Sequence, residues 1–234
     1  MIFSEKLGIA IKIKGGGYVP KSGLLFVEEL QKLTVSGRIL DIGTGETGIL
    51  ANCLLAMGAS GVVATDIDPE AIQWAQNASN ISSAIMWEHC NLYPETAREN
   101  RFDMIVSNPP QMPMPYQGHS HDYGGPDGRN IVVQIVQESE KLLTRNGKLI
   151  LLCFDFLGIE RAGKQATINE IAKGSMFQTK ILAKYKRAIR RGGKTEENIG
   201  WIKKIHPWYS FQKDTQGNYF HEVCILEMSR LAHL

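Results

Sequence analysis

The sequence is short of several things that would name a class at once. Its four cysteines, Cys53, Cys90, Cys153 and Cys224, lie far apart and form no CxxC pair. That spacing excludes the usual zinc-ribbon patterns and a disulfide framework, and it fits reduced thiols. No stretch approaches the ~18 apolar residues a membrane helix needs. Met1 leads into Ile-Phe-Ser-Glu-Lys without the basic-then-apolar order of a secretory leader, so a cytoplasmic location is expected. Net charge is only +2, so the chain as a whole is not built as a polyanion binder. It contains no internal repeat and no low-complexity segment. Proline is sparse too, with nine in all, yet five of the nine fall within residues 109–128 beside four glycines. A connection that long and that stiff is either a substrate lid or a plain crossover.

The 234 residues carry 43% hydrophobic and 21% charged side chains, an ordinary globular balance with enough length for one substantial core. After a weakly alternating strand at 8–13, Gly15-Gly16-Gly17, and a helix over 22–34 with Ser22 as N-cap, strands and helices alternate. Strands are expected at 38–42, 61–65, 84–88, 102–107 and 148–154. Helices are expected at 47–57, 69–77 and 128–143, the last ended by Asn146-Gly147. The strands are near-continuous apolar runs, as strands covered on both faces should be. This pattern predicts an α/β, doubly wound, mostly parallel sheet. Beyond 155 the pattern predicts a helix over 159–173, strands at 177–186 and 219–228 in an antiparallel hairpin, and a basic insertion near 184–208. One domain is expected: 1–36 as its N-terminal strand and helix, 37–155 as a cofactor-binding core, and 156–234 as completion of the sheet.

Two motifs carry chemistry. Gly43, Gly45 and Gly48 form GxGxxG between a strand and a helix, and Asp66 ends the next strand, where a carboxylate can bridge ribose hydroxyls. Asp41, two residues before Gly43, puts a negative charge beside the loop. That charge opposes a pyrophosphate and favours a cationic ligand such as S-adenosylmethionine. Glu46 reads as a solvated loop residue. The second motif is Asn108-Pro109-Pro110, at the end of an apolar strand. The prolines remove two backbone donors and hold Asn108 extended. A stiff strand end presenting an amide and bare carbonyls can accept from an NH₂ group and hold it still. Because parallel strands end in one crevice, Asp41, Asp66, Asn91 and Asn108 are expected there together.

With these runs, Arg38-Ile-Leu-Asp-Ile-Gly-Thr-Gly, Ala64-Thr-Asp-Ile-Asp-Pro-Glu-Ala, Phe102-Asp-Met-Ile-Val-Ser-Asn-Pro-Pro and Gly124-Gly-Pro-Asp-Gly, the chain resembles the class I S-adenosylmethionine-dependent methyltransferases, with a seven-stranded Rossmann-like sheet. Among them it is most similar to the HemK-type protein-glutamine N-methyltransferases. The resemblance implies S-adenosylmethionine as cofactor, held by Asp41, Gly43, Thr44, Gly45, Asp66, Ile67 and Asn91. It implies Asn108 and the Pro109 carbonyl as the catalytic clamp on the acceptor nitrogen, with Pro110, Gln111 and Tyr116 as substrate contacts. Asn91 stands where the family usually has Asp. Gln111 stands where it usually has an aromatic ring, and Tyr116 or Tyr123 would supply a ring in its place. The short stretch before the loop matches family members that lack a helical release-factor-holding domain, some of which need a small partner protein.

Other readings stay open. The substrate is a protein glutamine, an adenine in RNA or DNA, or a small amine or amide, and a NAD-dependent oxidoreductase or a non-catalytic scaffold subunit are alternatives of another class. Lys184, Lys186, Arg187, Arg190, Arg191 and Lys194 cluster as in nucleic-acid proteins, although such runs are more often solvated faces. His119 and His121 have no evident third metal ligand, so no metal is expected. Trp201, Trp208 and Tyr209 are expected in the core of the C-terminal hairpin.

Overall fold

The computed structural model describes residues 2–13, 21–98, 101–117 and 121–231. A hairpin of β1 (Ile2–Ser4) and β2 (Ile9–Ile11) opens the chain, and the Gly15–Gly17 run lies outside the described residues. Helix α1 (Lys21–Leu30) has Ser22 buried within its first turn rather than capping it. The alternation then follows as expected: β3 (Arg38–Ile42), α2 (Ile49–Ala56), β4 (Gly61–Asp66), α3 (Pro69–Gln76), β5 (Ile85–His89), β6 (Phe102–Ser107) and α4 (Asn130–Leu142). Helix α3 has Pro69 in its first turn and Asp68 as N-cap, whose carboxylate accepts from Glu70 N at 2.9 Å. Its fixed φ and absent donor suit proline to that place.

Strand β7 (Leu143–Phe154) starts earlier than expected. Asn146-Gly147 lies inside it and does not end α4. Gly147 is there for proximity: a Cβ would stand 2.8 Å from the Phe102 carbonyl, so a bare backbone lets the strand pass. After β7 come α5 (Ile168–Gly174), β8 (Phe177–Ala188), α6 (Lys194–Ile205), β9 (Gln212–Lys213) and β10 (Tyr219–Arg230). Helix α5 is shorter than the expected 159–173. It is started by a capping box in which Thr167 Oγ1 accepts from Glu170 N at 3.1 Å and Glu170 Oε2 accepts from Thr167 N at 2.7 Å. The Thr-x-x-Glu spacing was there to be read.

The chain divides into two compact units, Met1–Asn108 with Lys141–Ile150, and Pro109–Glu140 with Leu151–Leu234. The division falls at Asn108–Pro109, inside the motif. In the first unit the strand order is β5-β4-β3-β6-β7, and β3 pairs in parallel with β4 and β6, as does β4 with β5. Every residue of β3 after Arg38 is buried, and so is every residue of β6 except Asp103. In the second unit the order is β7-β10-β8, with the expected antiparallel register running from Phe220↔Ala188 to Arg230↔Phe177. The seven expected strands are therefore present in a mixed α/β sheet with an antiparallel C-terminal pair.

The basic stretch 184–208 is built of regular elements: residues 184–188 end edge strand β8, and Lys194–Ile205 form α6. Lys184 and Lys186 are exposed on one face of β8, while Lys180, beyond the bulge at Leu182, is exposed on the other, and Lys184 Nζ lies 3.9 Å from Glu222 of β10. Lysines along an edge strand block pairing with another chain. Trp201, Trp208 and Tyr209 are not the hairpin core either: Trp201 is on α6, and the other two lie between α6 and β9.

Phe102 is fully buried at the start of β6. Phe102→Ala should cost about 3–5 kcal/mol, read as a lower urea midpoint; a loss under about 1 kcal/mol would mean that this position does not anchor the sheet.

Candidate active site

The glycine loop is shaped by one buried carboxylate. Asp41 is 0% exposed. Its Oδ2 accepts from Thr44 Oγ1 at 2.7 Å and from Ala51 N at 3.1 Å, tying the loop to β3 and to the first turn of α2. Thr44, expected as a ligand contact, is itself buried and braces the loop in this way. Gly43 N and Thr44 N both donate to Thr65 O at 2.9 Å. All three motif glycines have positive φ: 72° at Gly43, 66° at Gly45 and 53° at Gly48, a region that costs other residues about 1 kcal/mol or more. Their surroundings differ. No atom lies within 4 Å of a Cβ built on Gly43 or Gly45, whereas one on Gly48 would stand 2.5 Å from the Trp87 ring. The first two glycines face open space and the third packs the helix onto β5.

The strand ends bring the other expected residues of the first unit to the same edge. Asp66 Oδ2 accepts from Gly45 N at 2.8 Å and its Oδ1 from Asp68 N at 3.0 Å, so each oxygen keeps one lone pair free for a hydroxyl. Ile67, next in line, is 57% exposed, an apolar side chain where the fold leaves one uncovered. Asn91 is exposed in the bend after β5. Cys90 N donates to Asp66 O at 3.0 Å, and Thr65 Oγ1 to Leu92 O at 2.8 Å. That second bond accompanies a left-handed backbone at Leu92, φ 63°. At the end of β6, Ser107 Oγ donates to Ile42 O at 2.8 Å. Asn108 follows, half-buried, with no bond from its amide to any described residue.

The residues fit a cationic nucleoside better than a dinucleotide. Asp41 Oδ1 is buried without a partner among the described residues, so a carboxyl group with one oxygen unengaged stands behind the two open glycines, and a cation there would favour its ionised form. Burial, the largest effect, pushes the Asp41 carboxyl up to about 7, against the lowering by its Thr44 and Ala51 bonds. Buried as it is, Asp41 shapes the loop through Thr44 and Ala51.

In the second unit, the proline-rich segment is ordered by backbone pairing. Met112 N donates to Asp122 O at 2.9 Å and Gly124 N to Met112 O at 3.1 Å. Gly124 and Gly128 let this happen: a Cβ on the first would stand 2.5 Å from Gln111 Cα, and on the second 2.7 Å from Gln111 O. Helix α6 holds the far side, with Trp201 Nε1 donating to Pro126 O at 2.7 Å and His206 Nε2 2.9 Å from Asp127 O. Burial holds the His206 imidazole below its usual value, so the neutral ring donates from Nε2. Neither residue was singled out from sequence for this role, and no local pattern announces it.

Two expected substrate contacts part company. Tyr116 is 71% exposed and available. Gln111 is buried, with its amide bonded to Pro109 O, Leu152 O and Phe154 N. It is a wall of the fold and does not offer its amide to a ligand, because both of its N–H groups already have acceptors. Pro110 is half-buried beside it. His119 lies outside the described residues, and His121 stands 3.6 Å from Asp122.

A further polar cluster escaped sequence reading. Asp155, just after β7, accepts from Tyr209 Oη at 2.8 Å and lies 3.9 Å from His221 Nδ1. Rings of Phe154 and Phe156 pack against His221, and those of Phe156 and Phe211 against Tyr209. Burial pushes the Asp155 carboxyl up to about 6 and His221 down to about 4, so near neutral pH His221 is uncharged and the contact is not an ion pair.

Comparison with known proteins agrees with this geometry. The family model of the methyltransferase small domain matches residues 17–183. A protein from Methanocaldococcus jannaschii, provisionally named a protein N5-glutamine methyltransferase, is 27% identical over 187 residues, covering 76% of this chain and 90% of that one. The release factor glutamine methyltransferase of Deinococcus radiodurans is 31% identical over 138 residues, and there the match spans 54% of this chain but only 49% of its relative. Among solved structures, a methyltransferase from Pyrococcus furiosus superposes with TM-score 0.53 at 19% identity, covering 94% of this chain and 90% of that one. A precorrin-6y C5,15-methyltransferase from Geobacter metallireducens gives 0.52 at 14% identity, covering 98% of each. These structural likenesses concern the fold alone.

The raised Asp41 value fixes a pH sign. Native Asp41 holds its proton up to about 7 and the unfolded residue only to about 4, so its contribution to stability is full at low pH and is lost as pH rises through 7. A bound cation favours the ionised carboxylate, so S-adenosylmethionine affinity should climb between pH 6 and 8, and Asp41→Asn should flatten the profile and weaken binding about tenfold at pH 8. A wild-type profile as flat as that of the variant, by calorimetry, would remove the charge role.

Proposed function

The chain belongs to the methyltransferase small domain family and is an S-adenosylmethionine-dependent methyltransferase, and we propose that its acceptor is the side-chain amide nitrogen of a protein glutamine. The observation that carries this is the end of β6. Asn108 presents an amide with no described partner, directly before Pro109, a residue without N–H. The relatives named as glutamine methyltransferases support the same acceptor. The family assignment sets aside the NAD-dependent oxidoreductase.

S-adenosylmethionine, when bound, supplies a methyl group on a sulfonium, ready for in-line displacement. The protein supplies position. Gly43 and Gly45 leave room above the loop, Asp41 sets the field, Asp66 offers lone pairs to the ribose hydroxyls, and Ile67 and Asn91 meet the adenine. A planar amide nitrogen is a poor nucleophile because its lone pair is delocalised. Asn108 Oδ1 and the Pro109 carbonyl would accept its two N–H bonds, raising electron density on nitrogen and fixing its direction. With the nitrogen so held, it would take the methyl as the sulfonium bond breaks and would release its proton to water once it carries positive charge. No strong base is required beforehand.

A second reading, an adenine in RNA, is favoured by one observation. Residues 177–219 hold ten Lys and Arg against three acidic residues, a net +7 in a chain of +2. Within it, Lys213 and Lys203 stand 4.8 and 5.8 Å from the exposed Tyr219 ring, and Lys204 5.1 Å from Trp201. Such basic–aromatic interleaving suits single strands.

Incubation with methyl-labelled cofactor and separated release factor, other protein and RNA fractions distinguishes the two. Label is expected in release-factor glutamine; label confined to RNA would transfer the assignment to adenine. Asn108→Ala should lower kcat about 100-fold or more while calorimetric cofactor affinity stays within twofold. Surviving turnover, or affinity lost in parallel, would remove Asn108 from the clamp.

A further inference from the structure

We propose that Gln111 is a positioning residue: its buried amide aims the Pro109 carbonyl that the reading above assigns to the acceptor nitrogen, on which reading this inference rests.

The geometry begins with a shortage of donors. Pro109 and Pro110 have no N–H, so these two residues cannot donate to neighbouring backbone, whose pairing resumes only at Met112. Gln111 provides the donors from its side chain. It is 3% exposed. Its Nε2 donates to Pro109 O at 3.2 Å and to Leu152 O at 3.1 Å, and its Oε1 accepts from Phe154 N at 2.7 Å. Three of the four hydrogen bonds an amide can make are present. The network also fixes which way the amide faces. Turning it over would set NH₂ against the Phe154 N–H and an oxygen against two carbonyls, so only the observed orientation is satisfied.

The consequence for Pro109 is directional. Its carbonyl receives one bond from Gln111, and the same amide is held at the end of β7 by two further bonds. The second lone pair of Pro109 O is thereby left with a fixed orientation. That orientation matters, since misplacing a contact by about 1 Å can cost about 100-fold in rate. Position 111 is where the resembled family usually has a ring. A ring makes none of the three bonds. It would leave Pro109 O one donor short, and Leu152 O and Phe154 N in a dry interior without these partners. Here the position holds the clamp in place of flooring the substrate.

Two variants isolate the bond. Gln111→Met keeps length and volume and removes all three bonds. Gln111→Glu keeps the acceptor for Phe154 N and removes both donors. Both should lower kcat about 10- to 100-fold on whichever acceptor the wild-type enzyme labels, with cofactor affinity within twofold. The stretching frequency of an isotope-labelled Pro109 carbonyl should also rise in both variants, which a merely structural role for Gln111 would not require. If Gln111→Met fails to fold, Gln111→Glu carries the test alone. Wild-type kcat together with an unmoved carbonyl frequency, in an enzyme that Asn108→Ala inactivates, would overturn the role of Gln111 and leave the clamp standing. Asn108→Ala with normal turnover would overturn the clamp itself, and the carbonyl frequency would still report whether the bond exists.

Discussion

A carboxylate buried without a counter-cation is expensive, and the cofactor half of the molecule is organised around one. Asp41 sits at the end of β3, fully buried, and its one engaged oxygen joins the loop hydroxyl of Thr44 to the backbone of Ala51. The loop therefore has a shape before any ligand arrives. The neighbouring N–H groups of Gly43 and Thr44 are taken by Thr65 O, and that of Gly45 by Asp66. With those donors occupied, the loop offers an anion little. What it offers is negative potential and open space, which suits a sulfonium and an ammonium group. Burial of this kind disfavours the ionised form, and a cation lowers that cost, so the loop and the charged ligand stabilise one another.

A different shortage governs the segment after Asn108. Prolines make the chain stiff but leave it without donors, so other groups must hold it. Gln111 supplies side-chain donors, the bare backbones of Gly124 and Gly128 allow close pairing, and Trp201 and His206 on α6 take the carbonyls of Pro126 and Asp127. The long C-terminal stretch thus has a structural task at the substrate segment. Its lysines have two compatible uses, guarding the β8 edge and offering a basic surface. Neither use excludes the other, because exposed charges act on any polyanion that approaches.

Much of the fold was legible in the sequence. Near-continuous apolar strands separated by helices give an α/β sheet directly, and their positions were right to within a residue or two for β3, β4, β5 and β6. Glycine was the less readable residue. Asn146-Gly147 has the look of a helix stop, yet Gly147 is there because the Phe102 carbonyl passes close by. Gly48 belongs to the nucleotide motif by spacing but is required by the ring of Trp87. In each case the reason is a contact with a residue distant in sequence, and local pattern carries no trace of it. The basic run misled for a related reason. Composition reports charge, whereas the edge position that gives the charge its meaning exists only once β8 has found β10.

What the sequence determined by itself was the chemistry. Asp41, the glycine loop, Asp66 and Asn108-Pro109-Pro110 mark the chain as a methyltransferase, because each is a local solution to a local need: a tight turn, a carboxylate at a strand end, a donor-free strand terminus. What only the tertiary structure decided was how those residues divide their work. Asp41 is a buried brace of the loop. Gln111, which reads as a polar substrate group, is a buried strut. Tyr116, six residues after Pro110, remains exposed. A side chain's type is written in the sequence, but whether its hydrogen bonds are free for a ligand depends on which backbone groups the fold leaves beside it.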